Sequence, residues 1–246
     1  MRAVLVSRYP RVDTNAWKRR VAGDLLAAGV DVAVLYSRAT LADQALAGLR
    51  EEGLGVFRRY LALRHRADSG APTRQSLAQW AGEQRLPVTY GRRLTDSIEA
   101  LRRLEPDLLV LLGSDIVPPA LLGIPRLGTI NPHYGLLPAF RGMNVTEWSV
   151  YCGAPVGVTV HLVDAGVDTG PILLQEHISL DAGDTFATLR RKHQDVAARL
   201  LVQAALDLRD GNATPVAQDP GQGRQYYRMH PALRRAAEAR LRARVG

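Results

Sequence analysis

Cysteine is almost absent. Cys152 stands alone, which excludes an internal disulfide framework and a metal site built on several thiolates, and leaves it the expected role of a small buried apolar residue. No apolar run reaches the roughly 18 residues of a membrane span, and Met1 leads straight into a strand-like segment without a secretory leader, so the expected location is the cytoplasm. The loop after that first segment, SRYPRVDTN, contains neither G-x-G-x-x-G nor G-x-x-x-x-G-K-S/T, which removes the dinucleotide fingerprint and the P-loop. Zinc-ligand spacing, RNP-like aromatic motifs, helix-turn-helix signatures, repeats and extended low-complexity segments are all missing.

What is present suits a single ordinary core with a small appendage: 246 residues, 46% hydrophobic and 23% charged. Ala3 to Ser7 reads as a strand, Ala16 to Ala28 as a helix closed by Gly29, and Val30 to Tyr36 as a second strand. Strand, helix, strand in succession predicts a parallel sheet with crossover helices. Thr73 to Gln84 and Asp96 to Leu104 read as helices, Leu86 to Val88 as a short strand, and Leu108 to Leu112 (LLVLL) as a central strand buried on both faces. Gly157 to Val163 and Ile172 to Ile178 follow as strands, Thr185 to Leu208 as one long helix and Pro231 to Arg244 as a terminal helix. The expected architecture is α/β: a Rossmann-like, mostly parallel sheet with flanking helices over residues 1–210, and an extension over 211–246 packed on it. Residues 39 to 85 carry the weakest pattern; Val56 to Arg66 reads as a packed helix with an Arg-rich solvent face. In the extension, Tyr226, Tyr227, Met229, Leu233 and Leu241 supply an apolar face that a free tail would not need.

The net charge is +8. Residues 1–20 hold six Lys or Arg against one Asp, and residues 231–246 five Arg against one Glu. Such a balance fits an Arg-rich surface, an anionic substrate or a nucleic acid.

The chemistry concentrates between Gly128 and Gly170, in GTINPHYGLLPAFRGMNVTEWSVYCGAPVGVTVHLVDAGVDTG. If Ile130 ends a strand, Asn131 and His133 point to one side, because strand side chains alternate with period two. Asp168, in a Gly-rich turn, adds a carboxylate, so the parts for stabilising an oxyanion and moving a proton are at hand. His161 reads as a packed strand histidine, and His177, His193 and His230 suggest no role. A metal site from His133, His161 and Asp168 matches no zinc spacing, and no metal is expected.

Asn131-x-His133, Leu136-Leu137-Pro138, Gly157-Val158-Thr159 and Asp168-Thr169-Gly170, in that order, resemble the 10-formyltetrahydrofolate-dependent formyltransferase family. The family includes the glycinamide ribonucleotide, methionyl-tRNA and sugar N-formyltransferases. One departure is Gly135, where the family has Ser. The resemblance implies Asn131, His133 and Asp168 as catalytic residues. It further implies folate contacts at Leu112, Gly113, Ile116, Leu137, Pro138, Gly166 and Val167, with 10-formyltetrahydrofolate as co-substrate. In place of the Gly-Ser-Asn-type phosphate loop of glycinamide ribonucleotide enzymes the chain has Arg8 and Arg11, which with Arg141 are candidates for an anionic acceptor. Fewer than 40 residues follow the long helix, which argues against tRNA as acceptor. The expected acceptor is a small amine, by preference a nucleotide-linked amino sugar, with hydroxyornithine-type amines open and a homodimer also open. The rival from another class is a non-catalytic protein that keeps the fold and uses its basic surface for RNA or another anionic partner.

Overall fold

The structure, a computed structural model, describes residues 1–8, 16–37, 75–114 and 116–246. Arg11, Asp115 and the Val56 to Arg66 patch lie outside the described residues.

The N-terminal half alternates as its apolar pattern demands: β1 (Arg2–Arg8), α1 (Ala16–Ala27), β2 (Asp31–Ser37), α2 (Leu77–Glu83), β3 (Val88–Tyr90), α3 (Ile98–Leu104) and β4 (Leu108–Leu111). The helix expected from Thr73 begins at Leu77, because Ser76 caps it and Gln79 closes a reciprocal capping box. Helix α3 stops at Leu104; Glu105 turns left-handed (φ 46°) ahead of Pro106, which cannot continue a helix.

The second half contains α4 (Pro119–Leu122), β5 (Thr129–His133), β6 (Phe140–Gly142), α5 (Val145–Tyr151), β7 (Val156–Leu162) and β8 (Ile172–Ile178). It ends with α6 (Phe186–Asp210), β9 (Arg224–Tyr226) and α7 (Pro231–Val245). Thr185 caps α6 in a capping box with Thr188, and Gly211, at φ 72°, ends it.

The main sheet has the order β3-β2-β1-β4-β5-β7-β8. Pairing is parallel from β3 through β5 and antiparallel at β5–β7 and β7–β8. Side-chain alternation divides the core in two. Ala3, Leu5, Val32, Val34, Leu108 and Val110 face α1 and α6, while Val4, Val6, Ala33, Leu35, Leu109 and Leu111 pack with Leu101 and Leu121 on the other side. Beyond β1 the chain winds one way to β2 and β3; from β4 it winds the other way. The carboxyl ends of β1 and β4 therefore flank the switch point where open sheets of this kind bind ligands.

Residues after α6 are built into the body. Strand β9 pairs with β6 in parallel, Met229 N donates to Asn144 Oδ1 at 3.1 Å, and α7 buries Ala237, Leu241 and Val245. Tyr226 stacks on Phe140 (ring centroids 5.1 Å apart) and lies beside Trp148, whereas Tyr227 is exposed. Cys152, expected to be buried, is exposed, because it caps α5 where the chain turns back toward β7. Among the described residues no helix is long and apolar enough to cross a membrane.

Candidate active site

Strand β5 runs three residues past Ile130, through Pro132 to His133, held by antiparallel pairing in which Asn131 faces His161 and His133 faces Thr159. Two pairs of functional side chains therefore lie side by side across β5 and β7. The Asp168 turn closes over them. Asp168 adopts a left-handed backbone (φ 53°), and the Gly142 amide donates to its Oδ2 at 2.8 Å. Gln218, from the segment after α6, donates to the carbonyls of Asp168 and Gly170 at 3.1 and 2.6 Å.

The hydrogen bonds fix where protons reside. His133 Nε2 lies 2.6 Å from the Phe140 carbonyl, which only accepts, so Nε2 carries the hydrogen. Its Nδ1 lies 3.3 Å from Asp168 Oδ2. Likewise His161 donates from Nδ1 to the Leu162 carbonyl at 2.7 Å, leaving Nε2 to accept from Asn131 Nδ2 at 3.2 Å, with Asp168 Oδ1 3.5 Å away. His161, expected to be a packing residue, thus orients the Asn131 amide.

Burial pushes the His133 pKa below the ordinary 6.5, an effect that the charge of Asp168 and the Phe140 carbonyl only partly offset. Burial alone would raise the Asp168 pKa, but the His161 ring, the charge of His133 and the Gly142 amide outweigh it and hold it at about 2. The resting pair is a neutral imidazole with a basic Nδ1 beside an ionised carboxylate. That arrangement can accept a proton and compensate the charge as it forms. The imidazole N–H is already bonded to Phe140 O, so it is not free to donate to an oxyanion.

The Gly-x-Thr and Leu-Leu-Pro segments meet at Thr159. Its hydroxyl donates to Gly135 O at 2.7 Å and accepts from Leu137 N at 3.2 Å, while Gln175 Nε2 reaches Leu137 O at 2.9 Å. A Cβ at Gly135 would lie 3.0 Å from His133 Nε2 and 3.2 Å from Phe140 O, so glycine there leaves room for the bond that fixes the imidazole.

The remaining candidates divide. Leu112 and Gly113 (φ 83°) lie at the carboxyl end of β4, next to β5; Ile116 is 86% exposed, and Val167, beside Gly166 in the Asp168 turn, is 38% exposed. Leu137 is buried, and its bond to Pro138 is cis. Arg8 Nε donates to Gly113 O at 3.2 Å, at the switch point, where buried Lys18 also bonds Ser7 Oγ at 2.8 Å. Arg141 points instead to the C-terminal segment, donating to Gly223 O at 3.3 Å. Gln175, Gln218 and His161 were missed by sequence reasoning. Only His161 had a signal, the period-two spacing from Thr159 on one strand. Among the described residues no group of three His, Cys, Asp or Glu is placed to hold a metal ion.

Fold and site together define an α/β protein with an Asn-His-Asp constellation. Residues 65–205 match the family described as Formyl transferase, more than half of the chain, and the chain belongs to that family. Among curated proteins, the methionyl-tRNA formyltransferase of Lachnospira eligens is 37% identical over 138 residues, covering 55% of this chain and 44% of that protein. The same enzyme from a Synechococcus strain is 39% identical over 153 residues, covering 60% and 47%. The chain thus spans a little under half the length of these relatives. Among solved structures, an N-formyltransferase from Helicobacter canadensis, in complex with folinic acid and dTDP-3-aminofucose, shares the fold at a TM-score of 0.65 and 15% identity, over 98% of this chain and 80% of that one. Glycinamide ribonucleotide transformylase 1 of Symbiobacterium toebii shares it at 0.62 and 22% identity, over 89% and 94%.

Proposed function

We propose that the protein transfers the formyl group of 10-formyltetrahydrofolate to the amine of a small acceptor, by preference a nucleotide-linked amino sugar. The observation that carries this reading is the convergence of Asn131, His133 and Asp168 in a member of the formyl transferase family. The choice of a small acceptor is supported by solved proteins such as the Helicobacter canadensis enzyme, which match nearly the whole chain.

The residues around the switch point fit a flat folate. Gly113 has no side chain to obstruct a ring at the carboxyl end of β4, and the exposed Ile116 and Val167 are candidates for apolar contact, with Leu137–Pro138 as a further one. When bound, the folate supplies an activated formyl group. His133 Nδ1 takes the proton that the attacking amine must lose, Asp168 stays ionised and stabilises the resulting imidazolium, and the pair passes a proton to the departing nitrogen. Asn131 donates to the oxygen on which charge builds; a donor so placed is worth roughly 3 kcal/mol in comparable sites. Arg8, beside Gly113, is one candidate for an acceptor phosphate, and Arg11 remains a candidate from sequence alone.

The test is incubation with 10-formyltetrahydrofolate and a panel of amines: nucleotide-linked amino sugars, glycinamide ribonucleotide, hydroxyornithine and methionyl-tRNA. Release of tetrahydrofolate with formylation of an amino sugar is expected. Absence of transfer to every amine, together with absence of folate-analogue binding, contradicts the enzyme reading and favours the RNA-binding alternative.

A further inference from the structure

A cavity of about 250 Å³ opens beside His133, between β5 and the starts of α5 and α6, with Tyr134, Asn144, Glu147, Phe186 and Arg190 among its walls. Its volume falls below the roughly 300–1,000 Å³ of pockets that enclose a whole drug-sized ligand, so it has room for one ring and little more. Two of its walls are charged. Glu147 is buried, its side chain 6% exposed; it pairs with Arg234 of α7 at 4.0 Å, beyond hydrogen-bond reach, and among the described residues it makes no hydrogen bond. Arg190, near the start of α6, has neither a hydrogen bond nor an ion pair among the described residues, and it is not paired with Glu147.

A carboxylate is an acceptor with about four lone-pair positions, and a single ion pair at 4.0 Å leaves most of them open to a ligand's donors. Its complement is a group rich in donors. An ammonium would satisfy it, but an amine held as ammonium cannot be the nucleophile, so the reacting amine belongs at His133 rather than at Glu147. Neighbouring hydroxyls on a ring meet the requirement and keep the amine free. The guanidinium fork of Arg190 matches the paired oxygens of a phosphate.

We infer that Glu147 and Arg190 are specificity residues for the acceptor: Glu147 accepts from the hydroxyls of a sugar ring seated in this cavity, and Arg190 binds a phosphate on the same molecule. The inference rests on the proposed formyl transfer only for the position of the amine. The recognition of a sugar phosphate is read from the cavity itself.

The experiment is a calorimetric titration of the full chain with glucosamine 1-phosphate and with methyl glucosaminide, on the wild type, Glu147→Gln and Arg190→Gln, each first checked for an unchanged circular dichroism spectrum. The phosphate should bind the wild type at least tenfold more tightly than the glycoside. Arg190→Gln should erase that difference, and Glu147→Gln should weaken both sugars at least tenfold. Equal affinity of the two sugars, no binding of either, or variants that bind as the wild type does would each overturn the inference. Turnover is a separate readout. Sugar-phosphate binding with no formylation of any amine keeps this assignment and removes the enzyme reading, while formylation unaffected by either substitution does the reverse.

Discussion

His133 sits 5% exposed, with one nitrogen bonded to a carbonyl and the other facing a carboxylate. Its folded pKa lies below the ordinary 6.5, so the unfolded chain takes up this proton first and stability declines as the pH falls below 6.5. The same group must be neutral to accept a proton from the amine. The acid limb of kcat/KM for the free enzyme should therefore fall at a pH below 6.5, as a pH–rate profile in an overlapping buffer series will report. For Asp168 the sign is that of a depressed carboxylate, about 2 when folded against 3.8. Its contribution is complete above pH 3.8 and is lost as the pH falls toward 2. At about 1.4 kcal/mol per pKa unit the loss is about 2 kcal/mol. Urea unfolding at pH 5 and near pH 2 should show this extra loss in the wild type and not in Asp168→Asn. Equal pH dependence in the two proteins would remove the charge partnership.

At the scale of elements, local pattern and long-range pairing part company. The run Leu108–Leu112 carries its own signal, and β4 ends one residue earlier than expected; Ile172–Ile178 coincides with β8. Strands β6 and β9 are three residues each and exist only because they pair across some eighty positions, which no short window can show. Likewise α5 is a single seven-residue stretch, VTEWSVY, whose polar Glu147 and Ser149 are buried, so its apolar pattern does not stand out. Period-two spacing puts His161 on the same face of β7 as Thr159, but its partner Asn131 follows only from the antiparallel pairing of β7 with β5. Because Gln218 holds the Asp168 turn and β9 flanks Gly142, the C-terminal segment supports the site. Truncation at Gly221 removes β9 and α7 and exposes Phe140 and Trp148. It should lower the melting temperature by at least several degrees in scanning calorimetry, since more than 1 kcal/mol of packing is lost from a chain of this size. An unchanged melting temperature would make the segment a dispensable appendage.

For the whole molecule, the basic excess finds an internal use. In α7, Arg240 binds the Tyr151 carbonyl and lies 4.3 Å over its ring, and Arg244 donates to Ala154 O at 3.0 Å. These cations satisfy the carboxyl end of α5, where positive charge is favoured, so part of the terminal Arg cluster secures the fold without a nucleic-acid partner. The mostly parallel sheet and the motif segments were readable from sequence because each rests on local alternation or on a resemblance carried by many positions at once. The cavity beside His133 was not, since it joins residues from β5, α5 and α6 that share no pattern. Whether His133 and Asp168 move the proton during the proposed formyl transfer is decided by kcat for His133→Ala and Asp168→Ala, measured beside the affinity of each variant for a folate analogue. A fall in kcat of at least a hundredfold is expected in both, with analogue binding retained; near-normal turnover in either variant would overturn the assignment.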